Sequence, residues 1–145
     1  MKNKQFDERQ LLARGKAYKW TVLAFIIELA AWCILQEVVG FSAAPLGEFL
    51  MLLMPPFVTF MTISILEDAY DPMNSKPGMI IFSFMLIVSV IMFWMKIREH
   101  AVLIEGKRIT EDGGIIIMYA GWIISAVVYW IKYAKDTKEE KRDWE

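Results

Sequence analysis

Residues 20–41 read WTVLAFIIELAAWCILQEVVGF, and this stretch decides the fold. It is apolar over about the length that a helix needs to cross a bilayer, which is roughly 20 residues for a hydrocarbon layer of about 30 Å. It nevertheless contains an acid, Glu28, eight residues after Trp20. At a rise of 1.5 Å per residue, Glu28 would lie roughly 12 Å into the apolar layer.

The whole chain is more apolar than a soluble domain of its size. Hydrophobic residues make up 57% of the 145 residues, against about 45–50% in soluble domains, and the mean hydropathy is +0.38. Sixteen basic and seventeen acidic residues leave a formal charge of −1, so the chain lacks the overall basic field on which nucleic-acid binding relies. We therefore expect the lipid bilayer as a partner and no nucleic acid.

Three more apolar segments follow the first. The sequence predicts an all-α integral membrane four-helix bundle, with spans at about 20–40, 46–66, 79–97 and 114–133. The segment EDAYDPMNSKPG precedes the third span and is rich in turn residues. The longest connection, 98–113, is expected to form either a small hairpin around Glu105-Gly106 or an irregular loop.

Charged segments flank the membrane domain of residues 20–133. Residues 1–19 place apolar residues such as Phe6, Ala13 and Ala17 beside lysines and arginines. This pattern predicts a juxtamembrane amphipathic helix on the membrane surface, the alternative being a solvated lead-in to the first span. Residues 134–145 form a charged tail that continues the last helix, with Lys135 and Glu139 spaced to pair.

The distribution of basic residues predicts the orientation. Of the Lys and Arg residues near span ends, twelve fall on the side of the two termini and four on the other side. Basic residues are retained on the cytoplasmic side. Both termini are therefore expected in the cytoplasm, in a multi-pass protein of the bacterial inner membrane, the cell membrane.

Glu28 is the leading candidate for a special role. A charged carboxylate facing lipid at the helix centre costs about 3 kcal/mol or more, so Glu28 is expected to face the bundle in its protonated form. Counting residues from the span ends suggests hydroxyl partners in an intramembrane polar cluster, namely Thr59, Thr62 and Ser125. Glu28 would then act either as a structural hydrogen-bonding group between helices or as a proton- or cation-binding carboxylate.

Two further features concern helix packing. Pro55 and Pro56 remove backbone donors near the centre of the second span, so the helix is expected to kink or break there. The prolines then either form an ordinary kink or free backbone carbonyls that bind a cation. Gly114, Gly121 and Ser125 form a small-residue face on the fourth span. That face suits close packing within the chain or between copies, so a homo-oligomer remains an alternative.

The sequence gives no sign of catalysis. His100 is the only histidine, and the chain carries neither a glycine-rich phosphate loop nor a nucleophile motif. We expect no catalytic residues, no metal site, no cofactor and no enzymatic activity.

The motif Asp7-Glu8-Arg9-Gln10, followed by Ala13, Lys16 and Ala17 and then by an apolar span, resembles the start of uncharacterised small multi-helix membrane proteins of Gram-positive bacteria. The resemblance covers roughly the first thirty residues. Because those proteins are often encoded beside small helix-turn-helix regulators, it implies a regulatory or interaction role, with the four motif residues as the partner-binding segment.

An acid in the first of four helices also resembles small multidrug antiporters, in which that Glu binds protons and cationic drugs in turn. Only Glu28 carries over, and the long loops, both charged termini and Pro55-Pro56 depart from that pattern. The sequence therefore favours a non-enzymatic interaction or regulatory membrane protein that binds a membrane or cytoplasmic protein. The alternative is a small proton- or cation-coupled transporter or channel subunit that uses Glu28.

Overall fold

The computed structural model describes residues 8–70 and 76–142. Within these ranges the chain forms four α-helices, α1 (Glu8–Ile34), α2 (Pro45–Leu66), α3 (Lys76–Arg98) and α4 (Glu111–Arg142), and three short strands, β1 (Ser42–Ala43), β2 (Ile104–Glu105) and β3 (Arg108–Ile109). A π-helical turn, Leu35–Val39, extends α1. It ends at Gly40, whose φ of 69° lies in the left-handed region that favours glycine.

The helices differ from those of a soluble protein in where their apolar side chains lie. In the described part of the chain, four helices are long and apolar enough to cross a membrane. Large apolar side chains stand exposed along all of them, for example Val22, Ile26, Phe49, Ile80, Phe84 and Ile131. Such faces suit lipid as the surrounding solvent, because helices in lipid need not hide apolar surface from it.

The helices are arranged as two hairpins that meet through α2 and α4. α1 packs on α2, α3 packs on α4, and α2 packs on α4. A Cβ on Gly114 would come within 2.5 Å of the Cα of Gly47, and one on Gly121 would meet the side chains of Met54 and Val58. Residues later in α4 thus contact residues later in α2, so the two helices run parallel. At their N-terminal ends the backbones of Gly47 and Gly114 lie against each other.

A small sheet joins the two hairpins at these N-terminal ends. β1 pairs parallel with β3, and β2 pairs antiparallel with β3. Because each of β1 and β3 leads directly into a helix, their parallel pairing sets α2 and α4 parallel as well. The hydroxyl of Thr110 accepts from the N–H of Gly113 at 3.0 Å and so caps α4. We call this end of the molecule the sheet end.

The opposite end holds a hydrophobic cluster of buried residues, formed by Ile65, Phe82, Ala126 and Tyr129. The rings of Phe82 and Tyr129 stack with centroids 4.3 Å apart, which links α3 to α4. The Lys132 ammonium binds the Asp68 carboxylate at 2.8 Å and links α4 to the segment after α2. The helices are thus fixed at both ends.

Several predictions about the fold are confirmed, and one helix begins earlier than the predicted span. The all-α class, four apolar helices at the expected positions and the hairpin around Glu105-Gly106 are all present. α4 continues into the tail, where Lys135 and Glu139 pair at 3.9 Å. Residues 8–19, expected either as a juxtamembrane helix or as a lead-in to the first span, are helical and form the first turns of α1 itself. Contacts with the segment after α2 hold these turns in line with the rest of the helix.

Candidate functional site

Within the apolar segment of α1, three side chains with polar groups lie on one face of the helix. Glu28, Trp32 and Gln36 follow one another at intervals of four residues and so share one side of a helix. The indole N–H of Trp32 donates to Glu48 Oε1 at 2.7 Å, and the amide of Gln36 donates to the same oxygen at 3.4 Å. This side of α1 therefore faces α2, as expected for a membrane helix that contains an acid.

The contacts between α1 and α2 fix the level of Glu28. Trp32 meets Glu48 near the sheet end, and the Lys16 ammonium pairs with the Glu67 carboxylate at the opposite end. The two helices are therefore antiparallel. Four residues back from Trp32 is Glu28, and four residues on from Glu48 is Leu52, so Glu28 lies opposite Leu52.

The structure does not assemble the polar cluster expected around Glu28. Glu28 Oε2 is buried and has no hydrogen-bond partner among the described residues. Thr59 donates to the carbonyl of Pro55 at 2.8 Å, and the buried Ser125 donates to the carbonyl of Gly121 at 3.0 Å. Both hydroxyls are thus bound within their own helices.

The reason for this difference is helix register. Counting from span ends puts Val58 level with Glu28, whereas the Trp32–Glu48 contact puts Leu52 there, six residues earlier in α2. Thr59 and the half-buried Thr62 therefore lie seven and ten residues beyond the level of Glu28, about two and three helical turns away. Ser125 lies on α4, which packs on α2 and α3. Thr59 and Ser125 do share a level, because Gly121 contacts Val58.

The two prolines lie inside a continuous helix. α2 remains helical through Pro55 and Pro56, so the break offered as one alternative does not occur, and the kink stays a prediction. The missing N–H groups still leave the carbonyls of Met51 and Leu52 without their usual intrahelical donors. Pro55 lines an apolar cavity of about 400 Å³ between α2 and α4, together with Met54, Val58, Gly121 and Ile124. Leu52 lines a second cavity, of about 250 Å³, with Phe25 of α1 and with Phe49 and Leu53.

A second candidate region lies at the end opposite the sheet, where α1 begins. The Arg14 guanidinium donates to the carbonyl of Ala69 at 2.9 Å and stacks over the ring of Tyr70 at 4.3 Å. The hydroxyls of Tyr18 and Tyr70 lie 3.3 Å apart. This hydrogen bond and burial raise the pKa of Tyr70, while the charge of Arg14 lowers it by less. The first turns of α1 are therefore held firmly against the segment that follows α2.

The predicted partner-binding motif sits at the tip of this region. Asp7 lies outside the described residues, whereas Glu8 and Arg9 are exposed and Gln10 is half-buried. Ala13 and Ala17 are buried. The residues that follow the motif thus attach α1 to the rest of the protein, and the described motif residues, Glu8 to Gln10, lie in the first turn of the helix as described.

Two contacts of these regions were not anticipated from the sequence. The Trp32–Glu48 hydrogen bond has only a weak signal in the sequence. That signal is the four-residue spacing of Glu28, Trp32 and Gln36, which places them on one helix face. The Arg14–Ala69 bond uses a backbone carbonyl, so no residue type marks it.

The described residues contain no group of three or more His, Cys, Asp or Glu side chains placed to hold a metal ion. The fold and its contacts define an all-α protein in which the described part of the chain includes four helices long and apolar enough to cross a membrane. Comparison of the chain with protein-family models, with curated protein sequences and with solved structures gives no match.

Proposed function

We propose that this chain is a multi-pass protein of the bacterial cell membrane, with both termini in the cytoplasm, that acts by binding a partner protein rather than by catalysis. The exposed apolar faces of the four helices support the membrane location. The excess of lysine and arginine near the termini supports the orientation.

The observation that supports the binding role is that the first described residues of α1, 8–12, are held in place and partly apolar. We call these residues the tip of α1. Leu11 and Leu12 are 54% and 76% exposed, beside the charged residues Glu8 and Arg9. They precede Trp20, the expected membrane boundary, by eight residues or more, so they lie roughly 12 Å outside that level. Two exposed leucines on a helix that is held in place form a small preorganised docking surface, which lowers the entropic cost of binding.

Site-specific photocrosslinking in native membranes tests this role. A photoreactive residue at Leu12 should give a discrete crosslinked protein product, whereas the same residue at Ile26, which is exposed in the middle of α1, should not. The product should disappear in the Leu11→Ser/Leu12→Ser variant, because the apolar contact is lost. It should persist in Leu66→Ser, a matched change of an exposed leucine at the same end of the molecule.

All of these variants should remain in the membrane fraction. Equal products from positions 12 and 26, or a product that is unaffected by the double substitution, would refute binding through the tip of α1. Loss of the protein from membranes would refute the location instead.

One observation favours a second candidate function, a proton- or cation-coupled transporter or channel subunit. Glu28 Oε2 is a buried acceptor without a partner in the described part of the chain, and buried acids in membrane helices often bind the transported ion. The two candidates differ in their dependence on the tip of α1. Transport through Glu28 would be unchanged in Leu11→Ser/Leu12→Ser, whereas binding through the tip would be lost.

A further inference from the structure

Two acceptor groups lie at the same level on the facing sides of α1 and α2: a carboxyl oxygen without a hydrogen-bond partner in the described residues, and a carbonyl without its usual intrahelical donor. The first is the carboxyl of Glu28, whose Oε2 is buried without a hydrogen bond in the described residues. It lies on the face of α1 that Trp32 and Gln36 direct at Glu48 of α2. The carboxyl therefore faces α2 rather than lipid.

The second group is a backbone carbonyl of α2. Glu48, Leu52 and Pro56 follow at intervals of four residues, and so share the side of α2 that faces α1. Pro56 is buried and supplies no N–H to the carbonyl of Leu52, which would otherwise accept from residue 56. Leu52 itself lines a cavity with Phe25, three residues before Glu28 on α1.

Pro55 provides an internal comparison, because it frees the carbonyl of Met51 in the same way. Pro55 lines the cavity on the α4 side of α2, with Gly121 and Ile124. The two freed carbonyls thus belong to different sides of the helix. The carbonyl of Leu52 belongs to the side of α2 that faces α1, at the level of Glu28.

A carboxylate and a carbonyl are both acceptors and cannot bond to each other. One proton on Glu28 turns its carboxyl into a donor and satisfies both groups at once, which removes the cost of two unpaired acceptors in an apolar surrounding. Glu48 is the one titratable residue of α2, and it already accepts from Trp32 and Gln36. It does not compete for this proton.

We propose that the α1–α2 contact is a proton-binding site, in which the protonated carboxyl of Glu28 donates a hydrogen bond to the carbonyl of Leu52 that Pro56 leaves free. This assignment rests on the membrane location proposed above, since an apolar surrounding keeps water from both groups. It is independent of binding through the tip of α1.

Infrared spectroscopy of the full-length protein in lipid vesicles tests the site, because a protonated carboxyl has a C=O stretching band distinct from that of a carboxylate. At neutral pH the wild type should show this band, Glu28→Gln should lose it, and Glu48→Gln should keep it. In the wild type, a membrane-permeant carbodiimide, which reacts with protonated carboxyls, should modify Glu28 in preference to Glu48. Mapping that modification by mass spectrometry needs no variant and so does not depend on variant folding.

The prolines test the identity of the acceptor. Pro56→Ala restores an N–H that competes for the Leu52 carbonyl, so the carboxyl band should move to higher frequency as its hydrogen bond weakens. Pro55→Ala restores the donor to Met51 and should leave the band in place.

Absence of both the band and the labelling in membrane-inserted wild type would overturn the proton site. An equal shift in both proline variants, or a shift in neither, would overturn Leu52 as the acceptor. Extraction of the protein from membranes by alkaline carbonate would instead refute the membrane proposal.

Discussion

At the scale of single residues, the crossing of α2 and α4 depends on two glycines. A Cβ added to Gly114 would lie 2.5 Å from the Cα of Gly47, which is backbone and cannot move aside. Gly114→Ala should therefore force the helices apart and destabilise the protein by about 1–3 kcal/mol, the usual range for overpacking a tight contact. Unfolding of the purified protein in detergent measures this loss.

Gly15 is the matched control for that substitution. It lies inside α1, and beyond the backbone of its own helix no atom of the described residues comes within 4 Å of an added Cβ, so Gly15→Ala gains helix propensity without a clash. It should be neutral or stabilising by up to about 1 kcal/mol. A Gly114→Ala protein as stable as Gly15→Ala would mean that the helices do not approach at Gly47.

For Glu28, the sequence predicts the direction of the side chain but not its neighbours. Its direction toward another helix follows from the cost of a charge in lipid and agrees with the Trp32–Glu48 contact on the same face of α1. Its neighbours depend on register, which is set by contacts such as Lys16–Glu67. These contacts join residues 51 positions apart, and a pattern within one helix carries no information about them.

At the scale of elements, the beginning of α1 is held by its contacts with the segment after α2. Arg14→Ala removes the hydrogen bond to the Ala69 carbonyl and the stacking on Tyr70. Together these contribute about 1 kcal/mol at a partly exposed site. Local opening of residues 67–70 should then become about fivefold more frequent.

Hydrogen–deuterium exchange of the peptide that contains Ala69 and Tyr70 measures this opening. Lys19→Ala is the control, because Lys19 is exposed on the same helix. Exchange should rise in the Arg14 variant while the protein stays folded. An equal rise in both variants would show that charge, rather than the contact with Ala69, controls the segment.

The helices and the hairpin could be predicted from the sequence, whereas β1 could not. Gly40, Pro45 and Gly113 place the end of the first helix and the beginnings of α2 and α4 within a few residues, because helix-breaking residues act locally. The hairpin of β2 and β3 is also local. β1 has two residues and pairs with a strand more than sixty residues away, so its own sequence contains no signal for it.

At the scale of the whole molecule, the fold consists of two helical hairpins that run in the same direction. α1 and α2 form one hairpin, α3 and α4 form the other, and the second helix of each lies at the centre. The strands β1 and β3 pair parallel directly before these two central helices. In the membrane location proposed above, the connections at the sheet end lie on one side of the membrane, and both described helix ends, at Glu8 and Arg142, lie on the other.

This geometry makes the orientation testable with two positions. In a Cys33→Ser background, which removes the only native cysteine, Glu105→Cys places a thiol at the exposed sheet end and Lys138→Cys places one on the exposed end of α4. A membrane-impermeant maleimide should label Glu105→Cys in intact cells, but Lys138→Cys only after lysis, because basic residues keep the termini in the cytoplasm. The reverse pattern would invert the orientation and place Leu11 and Leu12 outside the cell. Labelling of both positions in intact cells would contradict helices that cross the membrane, since the two thiols must then lie on the same side.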